Sequence, residues 1–301
     1  MQLSTVSPIV PSAGITVPVR GGNLHVRMWG TGGPVVLLLH GLTASHVEFE
    51  ALAEQLARDD VRLIAPDLRG RGRSRDIEGP WGMSAHATDL VAVLDDLQIE
   101  KADVVLGHSM GGFVAVVAAA QFPSRFGKLL MVDGGFPAIE GLPKNVPIEA
   151  MVQAVVGPSM QRLGMRFATR DDYRAFWKPH PAFGTEWSSY LERYFDYDLV
   201  GDAPNLYSSV RKEAVLGDAE SQLTGDLLPN ALESFTQPVR FLRAPRGVMN
   251  ADALYSEQLV QYWAARKRDF TWRTIPDVNH FTIVISERGA HALAQEIRGM
   301  L

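Results

Sequence analysis

The sequence predicts an α/β fold: a mostly parallel, doubly wound sheet with a helical lid inserted between residues 136 and 237. Three observations predict it. Short apolar runs alternate with segments of helical period along most of the 301 residues. Val35-Val36-Leu37-Leu38-Leu39 is continuously apolar, which fits a strand covered on both faces. Finally, Val104-Val105-Leu106-Gly107-His108-Ser109-Met110-Gly111-Gly112 runs from strand through a tight bend into a nearly all-apolar helix, with serine at the bend.

Taken in order, residues 1–14 read as a loose arm rich in Ser, Pro and Val. The arm lacks the basic segment and apolar core of a secretory signal. Residues 15–19 and 24–28 read as short strands joined at Gly21-Gly22. In the second, Leu24, Val26 and Met28 alternate with Asn23, His25 and Arg27, which predicts an antiparallel strand with one wet face. Further strands are expected at 61–65, 104–106, 129–132, 239–242 and 270–275. Helices are expected between them at 47–57, 84–97, 110–122, 255–266 and 289–300. Leu90, Val93, Leu94 and Leu97 recur at helical spacing, and Ser84 is placed to cap their helix. The core is thus assigned to 15–135 and 238–301.

The rhythm breaks over 136–237, which carries helical patterns, many aromatics and no clear strand. It reads as a helical cap, with Phe136, Trp177 and Trp187 as expected substrate-facing rings; the plainer alternative is that such rings form the cap's own core.

Composition excludes several classes of function. A net charge of −5 and a pI near 5.9 do not steer the chain toward nucleic acid or anionic lipid. With no cysteine there is no disulfide, no thiolate metal site and no thiol nucleophile. No apolar run reaches membrane-spanning length, so a soluble, cytoplasmic protein is expected.

Gly107-His108-Ser109-Met110-Gly111 lifts a serine hydroxyl above the sheet edge and aims the Met110 amide at whatever Ser109 attacks. Serine needs a base and a group that orients the base. Among eight histidines, His280 stands out, because it lies in the loop after the last strand, on the same edge as the bend. His25, His46, His86, His180 and His291 read as surface or packing residues. No two histidines pair with carboxylates at metal-ligand spacing, so no metal is expected. His40-Gly41-Leu42 follows the strand at 35–39, and the Leu42 amide is expected to join that of Met110 as an oxyanion donor, with His40 shaping the loop. Two acids compete for the third place. Asp252 lies late in the loop after 239–242, where it also reads as a helix cap, and Asp133 ends the preceding strand in Met131-Val132-Asp133-Gly134-Gly135. Gly30-Thr31-Gly32-Gly33 precedes a strand and is no dinucleotide motif, and the run from Asp67 to Ser74 reads as a structural strand-to-helix loop.

Together, His40-Gly41, Asp67-x-Arg69-Gly70-x-Gly72-x-Ser74, Gly107-His108-Ser109-Met110-Gly111-Gly112 and the late Asn279-His280 resemble the α/β-hydrolase superfamily. The combination is similar to its esterase, lactonase and carbon–carbon hydrolase branch. It departs from the haloalkane dehalogenases and epoxide hydrolases, which use Asp where Ser109 stands. The resemblance implies cleavage of an ester or lactone through an acyl-enzyme, without a cofactor, and the aromatic, methionine-bearing cap points to a small to medium, mostly apolar substrate. Carbon–carbon cleavage at the same site, and a ligand sensor on the same scaffold, are the alternatives.

Overall fold

The structure, a computed structural model, describes residues 12–138 and 146–301. It opens with a hairpin, β1 (Ser12–Val19) and β2 (Gly22–Trp29). There follow β3 (Val35–Leu39), α1 (Glu50–Gln55), β4 (Arg62–Pro66), α2 (Met83–Asp96), β5 (Ala102–His108), α3 (Met110–Gln121) and β6 (Phe126–Val132). A mainly helical stretch comes next: α4 (Ile148–Val156), α5 (Pro158–Gln161), α6 (Arg170–Trp177), α7 (Ser189–Asp198), the two-residue strands β7 (Leu199–Val200) and β8 (Tyr207–Ser208), α8 (Lys212–Leu223) and α9 (Leu227–Ser234). The chain closes with β9 (Val239–Arg243), α10 (Glu257–Ala264), β10 (Phe270–Thr274), α11 (Thr282–Ile285) and α12 (Glu287–Met300).

The main sheet has eight strands in the order β1-β2-β4-β3-β5-β6-β9-β10. β2 runs antiparallel to β1 and β4, and the remaining pairs are parallel. The continuous apolar run of β3 is explained by its two faces. Val36 and Leu38 pack with α1, α11 and α12, whereas Val35, Leu37 and Leu39 pack with α2 and α3. Each such fully buried side chain stabilises the fold by about 1.5–3 kcal/mol.

Parallel register also positions the site. Leu39 pairs with Gly107, and His108 pairs with Val132. His40, Ser109 and Asp133, each the residue after its strand, therefore emerge side by side at one sheet edge.

Several expectations need correction. Residues 12–14 belong to β1 and not to an arm; the rest of the expected arm lies outside the described residues. His25, expected on a wet face, is buried, because the loop carrying His46 covers it. Ser84 does not cap α2: the helix starts after Gly82, whose φ of 105° turns the chain and whose amide N–H donates to the Asp218 carboxylate. Ser84 instead accepts a hydrogen bond from Gln121. The 47–57 helix is a short 3-10 turn, His46–Phe49, continued by α1. β7 and β8 form a small hairpin too short to leave a periodic signal. α9 packs on α3 beneath the sheet rather than over the site edge, through Leu228, Ala231 and Leu232. Among the described residues no helix is long and apolar enough to cross a membrane.

Candidate active site

Ser109 sits between β5 and α3 with φ 52° and ψ −118°, a conformation costly for a residue with a side chain. Its neighbours allow it. A Cβ on Gly107 would lie 2.4 Å from the Gly111 carbonyl oxygen, and one on Gly111 would lie 2.0 Å from that of Leu39. Strand and helix thus approach more closely than any other residue permits. The bend is fixed by the Ser109 amide, which donates to the Val132 carbonyl at 3.0 Å.

His280 follows β10 and is 4% exposed. Its loop is held by Asn279, whose Oδ1 accepts from the amides of Phe281 and Thr282, both at 3.0 Å. Nδ1 of His280 lies 2.8 Å from Oδ2 of Asp133, which is itself 1% exposed. The other oxygen of Asp133 accepts from the Ala244 amide at 3.0 Å. A carboxylate at Nδ1 selects the tautomer with the proton there and the lone pair on Nε2. Nε2 has no hydrogen-bond partner among the described residues. Burial pulls the His280 pKa below its ordinary value, against the opposing pull of Asp133, which keeps the ring neutral near pH 7.

Of the two expected acids, then, only Asp133 meets His280. Asp252 is exposed and bridges to Arg246 through the backbone, and the cap of α10 is Ser256. Loop length explains the difference. Asp252 comes nine residues after Arg243, past a turn that folds back on itself, whereas Asp133 directly follows β6.

Ser109 and His280 line the same small cavity, of about 30 Å³. No hydrogen bond joins them within the described structure; such contacts commonly tighten only in the substrate complex. The cavity wall is apolar at Leu42, Ala44, Val156, Val248 and Phe281, and polar at Glu48, Ser159 and Tyr194. The Leu42 amide has no hydrogen-bond partner among the described residues, and that of Met110 opens α3, where helical partners are lacking. His40 shapes this loop as expected. Its Nε2 accepts from the Leu68 amide at 2.9 Å, so its Nδ1 carries the proton and donates to the Gly41 carbonyl at 2.8 Å. Burial lowers its pKa to about 3 and keeps it neutral.

Sequence reasoning missed Glu48 and the role of His108. Nδ1 of His108 lies 3.1 Å from Glu48, and its Nε2 donates to the backbone carbonyl of His280 at 2.8 Å. Burial works against a charge on His108, but Glu48 outweighs it and raises the pKa. The only available signal was His108 beside Ser109; nothing in the spacing tied it to Glu48, 60 positions earlier.

Phe136, Trp177 and Trp187, expected to face substrate, do not line the cavity. Phe136 is 1% exposed beneath the sheet edge, against Trp263 and Phe270. Trp177 stacks on Phe195 with ring centroids 4.9 Å apart, and Trp187 stacks on the same Phe195 at 5.5 Å. These rings hold the helical stretch together, where stacking of large apolar faces repays their burial.

The fold does gather one set of metal-ligand types that the spacing did not show. His25, His46 and Asp67 place donor atoms within 4.8 Å of one another. Asp67, however, accepts from the His46 amide at 3.0 Å, His46 Nδ1 at 2.8 Å, the Arg73 amide at 2.9 Å and the Tyr197 hydroxyl at 2.6 Å. Four donors occupy its two oxygens, so the carboxylate acts as a knot for the loop between Asp67 and Ser74, consistent with the structural reading of that run.

Comparison with known proteins identifies the family and the fold. The family model for the alpha/beta hydrolase fold matches residues 34–283. The chain is 37% identical over 131 residues to the lipase LipV of Mycobacterium tuberculosis, a match covering 43% of the chain and 48% of that relative. It is 30% identical over 220 residues to N-formylmaleamate deformylase of Pseudomonas putida, covering 68% of the chain and 77% of the relative. The solved structure of E-2-(acetamidomethylene)succinate hydrolase superposes with a TM-score of 0.76 at 21% identity, covering 96% of the chain and 100% of that structure.

Proposed function

The chain belongs to the α/β-hydrolase family, and on that premise we propose that it is a serine hydrolase that cleaves a carboxylic ester or lactone through an acyl-enzyme. The observation that carries this reading is the buried His280–Asp133 pair beside a cavity that Ser109 also lines. In this mechanism Nε2 of His280 takes the Ser109 proton as the oxygen attacks the carbonyl carbon. The amides of Leu42 and Met110 receive the oxyanion, each such donor contributing roughly 3 kcal/mol to the barrier reduction. His280 passes its proton to the leaving oxygen, and the carbon–oxygen bond breaks. His280 then deprotonates a water as its oxygen attacks the acyl carbon, and returns that proton to Ser109 Oγ as the Oγ–acyl bond breaks and the acid leaves. This route draws on no cofactor.

The helical stretch from α4 to α8 serves as the cap in this reading, since Val156, Ser159 and Tyr194 wall the cavity. The wall favours a small, mostly apolar acyl group. The two relatives support hydrolysis at an acyl carbon: one is named a lipase, the other a deformylase. Turnover of p-nitrophenyl butyrate by the wild type and by Ser109→Ala tests the reading. Loss of turnover by 10³-fold or more, on the order expected for a missing nucleophile, supports it, and wild-type-like turnover rejects it. A vinylogous diketone assayed alongside separates ester from carbon–carbon cleavage.

A further inference from the structure

The loop Gly41-Leu42-Thr43 has its three successive carbonyls held by three different side chains. His40 takes the Gly41 carbonyl, as described above. The Leu42 carbonyl accepts from Arg71 twice, Nε at 3.1 Å and Nη2 at 3.0 Å. The Thr43 carbonyl accepts from Nη2 of Arg162 at 2.8 Å. Both guanidinium groups are buried, and each is paired with a buried aspartate of the cap. Arg71 pairs with Asp218 on α8, and Nε of Arg162 lies 3.0 Å from Asp198 at the end of α7.

Neither pair is easily released. Asp218 also accepts from the Gly82 amide at 2.6 Å and faces Nε2 of His86 at 3.0 Å. Asp198 also accepts from the hydroxyls of Ser208 at 2.8 Å and Ser209 at 3.0 Å. Removing either aspartate would strand a buried cation. Arg162 further donates to the carbonyl of Ser159, which lines the cavity. One guanidinium therefore joins the cavity wall to the loop that carries the Leu42 amide.

A planar fork with several donors at fixed angles holds a peptide in one orientation, which an ammonium on a flexible stem does not. The Leu42 N–H belongs to the Gly41–Leu42 peptide, whose carbonyl His40 holds, and Arg71 and Arg162 fix the two peptides that follow it, so they restrain Leu42 from its C-terminal side. The oxyanion amide gains its effect only when aimed at the developing charge in advance. We infer that Arg71 and Arg162 are positioning residues that aim the Leu42 amide, with Asp218 and Asp198 tying that aim to the seating of the cap. The inference rests on the serine-hydrolase reading and adds to it a mechanical link: substrate that fits the cap is turned over faster, not merely bound better.

The test is Arg71→Lys and Arg162→Lys, each assayed with p-nitrophenyl butyrate and with an alkyl trifluoromethyl ketone, which forms a tetrahedral adduct on the serine. Each variant is expected to lose roughly 10²-fold in kcat with KM changed less than about threefold, the pattern for a stabiliser acting only in the transition state. Affinity for the ketone is expected to fall by the same factor as kcat/KM. A merely structural role lowers the folded fraction and leaves both constants of the folded enzyme unchanged. Folded lysine variants with wild-type kcat and ketone affinity overturn the inference. Where a lysine variant does not fold, Asp218→Asn and Asp198→Asn supply the answer by the same two readouts. Ser109→Ala separates the two claims: retained turnover there ends the hydrolase reading itself. An inactive Ser109→Ala beside unaffected arginine and aspartate variants ends only the positioning claim.

Discussion

Oδ2 of Asp133 lies 2.8 Å from Nδ1 of His280, although 147 positions separate the two in the chain. Both residues are nearly inaccessible to water, and among the described residues no other carboxylate hydrogen-bonds the His280 ring. Asp133→Asn is therefore expected to lower kcat by roughly 10⁴ by favouring the wrong imidazole tautomer. Asp252→Asn, on an exposed loop, is expected to stay within about threefold of wild type. Steady-state kinetics of the two variants side by side decide the assignment.

The direction of the His280 shift sets the acid side of the pH profile. A base must be neutral, and burial lowers its pKa below 6.5. The logarithm of kcat/KM for p-nitrophenyl butyrate should be flat near pH 7 and fall with unit slope only at a pH below 6.5. A midpoint above 6.5 would mean that His280 is held protonated, contrary to the geometry around it.

His40 gives a stability prediction of definite sign. Its folded pKa of about 3 lies below the ordinary 6.5, so between those values the unfolded chain binds a proton that the folded chain does not. Stability attributable to His40 is then fully present above pH 6.5 and is lost as pH falls, by about 1.4 kcal/mol per pH unit. Urea unfolding of wild type and His40→Gln at pH 7 and pH 5 should show a smaller acid-induced loss in the variant.

The Glu48–His108 pair is closed off from solvent on both sides. Glu48→Ala removes the partner of the buried His108 Nδ1 and should cost about 1–3 kcal/mol of folding stability. Glu48→Gln keeps an acceptor for Nδ1 and should cost less than half of that. Denaturant midpoints at pH 7 compare them.

Much of this was legible in the sequence, for identifiable reasons. Ser109 and His280 announce themselves because each is fixed by local chain geometry: one by glycines at fixed offsets, the other by its place just past the last strand. β3 was legible because burial on both faces leaves no polar residue in it. The choice between Asp133 and Asp252 was not, since it depends on how the loop between β9 and α10 folds back on itself. Glu48 was hidden because its partner is brought to it only when β3 and β5 pair. Phe136, Trp177 and Trp187 misled because an aromatic ring fills a protein core as readily as it lines a pocket, and composition alone does not say which.

The central claim is that Ser109 is a nucleophile activated by His280. Intact-mass and peptide mapping after treatment with a fluorophosphonate test it most directly. One equivalent of adduct on the peptide carrying Ser109, formed far more slowly in His280→Ala, is the predicted result. An unmodified Ser109, or labelling at the same rate without His280, would contradict it.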